Sequence, residues 1–168
     1  MRVLGIDPGY ATTGYAVIER SRGGLTPIAV GAIRTSSSDT HAKRLASLRV
    51  ELLELIGEHA PVSVALEKVF FSVNVRTAMQ VGQASGVAMA TAGESGLEVT
   101  EYTPTEVKQS VTGTGTAPKH QVQSMIASLL RLAEPPKPAD AADACALAIC
   151  HLNRSGLSRA LARAGTTT

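Results

Sequence analysis

Four acidic residues stand where a fold of strands and helices can bring them together. Asp7 closes the apolar run of Val3, Leu4 and Ile6, and Pro8-Gly9 follows at once as a turn. Glu67 closes Val62-Ser-Val-Ala-Leu-Glu67 in the same way. Ligands of open α/β sheets bind in the crevice at the carboxyl ends of the strands. Asp140 and Asp143 lie three apart in a helical, alanine-rich stretch, a spacing that puts both on one helix face.

Each acid also has a plainer reading. Asp7 can simply open a turn, and carboxylates in a first helical turn suit the helix dipole. Converging all four changes the chemistry. They would repel one another and hold their protons unless cations intervene. Hard oxygen ligands with no His or Cys cluster point to Mg²⁺ or Mn²⁺. Two such ions suit in-line phosphoryl transfer, one activating a water and the other stabilising the leaving 3′ oxygen.

The elements that must position these acids follow the order βββ-α-β-α-β-α-α-α. After the first strand, Gly14–Ile18 and Leu25–Ile33 read as strands two and three, joined at Ser21-Arg-Gly-Gly24 into an antiparallel meander. Residues 36–40 offer N-caps for a helix reaching His59, with Leu45, Leu48, Leu52, Leu55 and Ile56 inward and Lys43, Arg44, Glu51 and Glu54 on the surface. Strand four ends at Glu67. A loop follows that holds Phe70 and Phe71, the only phenylalanines. Val75–Ser95 reads as a helix rich in small residues, suited to close packing against another helix of this chain or of a second subunit. Leu97–Tyr102 is strand five. Thr103 caps a short helix from Pro104 to about Val111. A flexible linker, 112–118, leads to a helix over Lys119–Leu132, and Asp140–Asn153 is the last helix. The expected domain is therefore 1–153, with 154–168 a basic, disordered tail. Crossover connections make strands four and five parallel to the first, so Asp7 and Glu67 become neighbours.

Composition sets bounds. A chain of 168 residues has room for one domain with a substantial core. A net charge of +2 and a pI near 8.7 permit a nucleic-acid partner without demanding one. Cys145 and Cys150 are five apart, on different helix faces, and read as buried thiols in a reducing cytoplasm. No run is long enough to span a membrane, and no signal peptide is evident.

The residues now reach a known family. Gly5-Ile-Asp-Pro-Gly-Tyr-Ala-Thr-Thr-Gly14, Leu66-Glu-Lys-Val-Phe70, Gly82-Gln-Ala-Ser-Gly86, Val107-Lys-Gln109 and Asp140-Ala-Ala-Asp143 resemble, in order and spacing, the RuvC Holliday-junction resolvases. The resemblance spans about Met1 to Leu152. It implies an RNase H-like fold: a mixed five-stranded sheet, an antiparallel meander plus parallel strands, flanked by helices. It also implies a homodimer that makes paired, symmetric, Mg²⁺-dependent nicks across a four-way DNA junction, with 5′-phosphate and 3′-hydroxyl ends. Mn²⁺ is expected to substitute, and two ions are expected per site with DNA bound. Asp7, Glu67, Asp140 and Asp143 match the catalytic, metal-binding acids; some members carry His at the position of Asp140. Phe70 matches the aromatic that stacks on an unpaired base, and Lys108 and Lys119 match basic residues near the scissile phosphate. Arg76, just after the Phe loop, is a further candidate for a DNA backbone contact. The family works with the RuvA–RuvB branch-migration machine. Three other readings compete: a fragment of an actin-like ATPase, which needs a second lobe; a non-enzymatic junction binder; and a general RNase H.

Overall fold

The structure is a computed structural model that describes residues 1–69 and 75–164, with side chains described to Gly156. Its elements in chain order are β1 (Arg2–Asp7), β2 (Thr12–Ser21), β3 (Gly24–Arg34), α1 (His41–His59), β4 (Ser63–Glu67), α2 (Val75–Glu94), β5 (Glu98–Tyr102), α3 (Pro104–Thr112), α4 (Lys119–Leu129) and α5 (Ala139–Ala164). The five strands form one sheet in the order β3-β2-β1-β4-β5. β1 pairs antiparallel with β2 and parallel with β4, and β5 is parallel to β4. This is the expected RNase H-like sheet.

Side chains alternate faces along a strand, and here the alternation builds two cores. Leu4, Ile6, Val17, Val64 and Leu66 pack on one side with Leu48 and Leu52 of α1 and Ala84, Ala88 and Ala92 of α2. Val3, Ala16, Ile18 and Ala65 pack on the other, against α3, α4 and the alanine-rich face of α5. β1 and β4 are covered on both faces, so they read as nearly continuous apolar runs.

Local chemistry fixes the ends. The Thr40 hydroxyl caps α1 by accepting from the Lys43 amide, and Ala60 closes that helix in the left-handed region at φ 44°. Thr103 and Glu106 form a reciprocal capping box at α3, with Pro104 in the first turn.

Two expectations are corrected. Arg44 is not a surface residue; it is buried beneath Tyr10, with its guanidinium 3.6 Å from the ring centroid. Nor does the last helix end at Asn153. It continues to Ala164, because Leu157, Ala160, Leu161, Ala162 and the arginines are good helix formers and no proline intervenes. Among the described residues no helix is long and apolar enough to cross a membrane.

One buried polar group ties α5 to the sheet. His151 places Nδ1 3.0 Å from the Tyr102 hydroxyl and Nε2 3.1 Å from the Ser63 hydroxyl, and all three residues are buried. Burial holds the imidazole below its ordinary pKa, and the Glu98 charge opposes that only in part. The folded state therefore favours neutral His151. The stability this gives is complete above the unfolded pKa of about 6.5 and is lost as pH falls below it. His151→Asn should cost about 1–3 kcal/mol at pH 7 by unpairing buried hydroxyls. The wild type's thermal advantage over that variant should narrow as pH falls from 7 to 5, as read by melting curves.

Candidate active site

The register of β1 and β4 decides where the first two acids go. Ile6 sits beside Leu66 in the parallel pair, so the next residues, Asp7 and Glu67, lie side by side at the strand ends. Gly5 and Asp7 alternate with Leu4 and Ile6, so Asp7 projects toward the α5 side, and Glu67 does the same after Ala65.

α5 reaches that spot because two glycines let its backbone lie directly on the sheet. A Cβ on Gly14 would run into the carbonyl of Asp140, and one on Gly5 would run into the carbonyl of Ala144. Gly14 pairs with Asp7 across β1 and β2. The first turn of α5 therefore rests on the strand next to Asp7. Asp140 and Asp143 follow on the helix face turned to the acid pair, and both charges reach Asp7.

The electrostatics record the convergence. Asp7 is pushed up to about 8, chiefly by burial, then by a hydrogen bond and charge repulsion from Glu67, and then by Asp143 and Asp140. Near neutral pH the metal-free pair thus holds a proton between two carboxyl groups. Four hard oxygen donors around such a pair fit a divalent cation, which would replace the proton. Asp143 accepts a 2.8 Å hydrogen bond from the Lys119 ammonium. The ammonium is held above its usual pKa, first by that bond and then by the charges of Asp143, Asp7 and Asp140, against some burial.

Both expected lysines arrive here. Lys108 on α3 and Lys119 at the start of α4 line a cavity of about 230 Å³ together with Glu67 and Asp143, over an apolar floor that includes Val107 and Leu147. Arg76 does not join them. It lies in the first turn of α2 and lines a separate groove of about 520 Å³ with Tyr10, His41 and Gln83. Phe70 lies outside the described residues.

The loop after Asp7 is clamped by residues that sequence reasoning did not single out. Arg44 donates to the Tyr10 carbonyl at 3.0 Å and to the Thr35 hydroxyl at 2.9 Å. The Thr13 hydroxyl donates to the Gly9 carbonyl at 3.0 Å, closing the turn on itself. The signal for Gly14 was present, since a glycine in a strand marks a bulge or a close backbone approach. Arg44 carried no such signal, because its partners lie far away in the chain.

A mixed sheet of this topology, with paired carboxylates at the ends of β1 and β4 and a third and fourth from a packed helix, defines an RNase H-like nuclease fold. Comparison with known proteins narrows the class. The model of the family "Crossover junction endodeoxyribonuclease RuvC" matches residues 3–151. The RuvC of Salinispora arenicola is 51% identical over 165 residues, which cover 98% of this chain and 94% of that one. The solved RuvC of Thermus thermophilus superposes with a TM-score of 0.88 at 32% identity, covering 94% of this chain and 97% of the other. The same protein in complex with Holliday junction substrate gives a TM-score of 0.89 at 32% identity and covers 94% of this chain and 96% of that one. The chain belongs to the RuvC family of crossover junction endodeoxyribonucleases.

Gly14→Ala tests the packing that places the helix acids. The added methyl meets backbone, not a flexible side chain, so α5 must lift or tilt. The expected cost is about 1–3 kcal/mol, the usual range for overpacking, measured by urea unfolding. Endonuclease activity should fall at least about tenfold, since small misplacements of reacting groups carry large rate penalties.

Proposed function

We propose that this chain resolves Holliday junctions by paired, symmetric, metal-dependent nicks that leave 5′-phosphate and 3′-hydroxyl ends. The observation that carries this reading is the half-buried Asp7–Glu67 pair, set at two adjacent strand ends beside Asp140, Asp143, Lys108 and Lys119. The relative solved with Holliday junction substrate supports the choice of DNA.

Asp7, Glu67, Asp140 and Asp143 would hold the metal. A bound Mg²⁺, or Mn²⁺ in its place, supplies Lewis acidity at a phosphoryl oxygen and a more acidic water, most effectively as two ions with DNA bound. The other groups act as positioners. Lys108 and Lys119 fix the scissile phosphate in their shared cavity and offset charge that develops on it. Phe70 stacks on an unpaired base at the crossover, and Arg76 contacts backbone outside the acid cavity.

A two-fold junction calls for two equivalent sites, and a C₂ homodimer provides them. The outward face of α2 suits that contact. Val75 and Met79 are exposed, and Gly82 and Gly86 face open space, so a second helix can approach closely. The RuvA–RuvB branch-migration complex is the expected partner, in a bacterial cytoplasm.

The test is a four-way junction with a mobile core, each strand end-labelled in turn, resolved on denaturing gels. Symmetric nicks in opposing strands should appear with Mg²⁺ and vanish with Asp7→Asn, which should still bind the junction. Binding without cleavage in both Mg²⁺ and Mn²⁺ would overturn the assignment.

A further inference from the structure

Lys119 has a position that contact with phosphate does not explain. Its ammonium donates to Asp143 Oδ2 at 2.8 Å. Asp143 is one of the four acids assigned to the metal. A side chain of the protein thus pairs with one of the acids assigned to the metal.

Three features make this contact replaceable. The pair is open to solvent, with side chains 59% and 34% exposed, and such pairs are weak. Lys119 is also the first residue of α4, whose N-cap, Pro118, makes no side-chain cap bond. A positive charge there opposes the helix dipole, so the fold does not hold the ammonium at that end for its own sake; the acids do. Finally, Lys119 and Lys108 line the same cavity as Glu67 and Asp143. A phosphate entering that cavity offers the ammonium a second anion within reach of a flexible four-carbon stem.

We propose that Lys119 and a divalent cation compete for Asp143, so that Lys119 keeps the DNA-free site in a low-affinity state for metal. Phosphate arriving in the shared cavity draws the ammonium off and frees Asp143. Metal loading is then coupled to the presence of nucleic acid, and the coupling is reciprocal. This inference rests on the assignment of Asp143 as a metal ligand.

The test is Mn²⁺ binding to the full chain without DNA, followed by the electron paramagnetic resonance signal of free Mn²⁺. Lys119→Met should bind Mn²⁺ about fivefold more tightly than wild type, the factor that removal of a surface ion pair of ~1 kcal/mol implies. Lys119→Arg keeps the charge and should stay within about twofold of wild type, by the same conversion. Lys108→Met removes an equal charge from the same cavity without touching Asp143, and it too should stay within about twofold. Circular dichroism of each variant should match wild type. Unchanged or weaker binding by Lys119→Met would overturn the inference, and so would equal gains in Lys119→Met and Lys108→Met, which would mean general charge and not competition. Mn²⁺ binding by none of the proteins would overturn the metal assignment itself, a result distinct from the other two because wild type then fails as well.

Discussion

Two carboxyl groups at adjacent strand ends, half-buried and sharing a hydrogen bond, are the constraint on which the rest of this structure depends. Desolvation and mutual repulsion both disfavour two charges there. Burial and the neighbouring Glu67 therefore hold Asp7 above the ordinary carboxylate range. The sheet nevertheless fixes both groups side by side, because the parallel register of β1 and β4 is set by apolar residues packed on both faces. Stability built elsewhere in the core thus maintains an unfavourable local arrangement, as functional sites commonly require.

The second constraint is the close approach of α5. A helix usually stands off a sheet by the length of its side chains. Here Gly5 and Gly14 remove that spacing, and small residues on α5, Ala141, Ala144 and Ala148 among them, complete the fit. The helix is also tied near its middle, where Arg20 donates to the Leu152 carbonyl at 3.0 Å and to the Asn153 side chain at 2.6 Å. Held at its first turn and again near its middle, α5 presents Asp140 and Asp143 together on one face. Lys119, by contrast, sits at the start of a helix without a side-chain cap, on a stem free to change partners.

The sheet and the acid positions were legible from residue pattern alone. Apolar runs that end in Asp7 and Glu67 signal strand ends, and an i, i+3 pair of aspartates signals one helix face. The Thr103 cap followed by Pro104 signals a helix start, and α3 begins there, with Glu106 completing the capping box. What stayed hidden depends on partners distant in sequence. Arg44 fits the polar face of α1 until the Tyr10 loop folds over it. His151 lacks any ligand spacing, yet it finds hydroxyls from β4 and β5. The extent of α5 past Asn153 is masked by Ser155-Gly156 and Ser158, weak helix formers that interrupt the apolar pattern. The Lys119–Asp143 contact bridges two helices joined by an irregular segment, so no periodicity reports it.

The most direct measurement is a carbon-13 NMR titration of the Asp7 carboxyl in the metal-free protein, with Asp7→Asn used to assign the signal. A midpoint near 8 is the expected result, with the signal moving to the ionised position when Mg²⁺ is added at pH 7. A midpoint in the ordinary carboxylate range of about 4, unaffected by Mg²⁺, would contradict the central claim that a proton-sharing acid pair is the seat of metal binding in this fold.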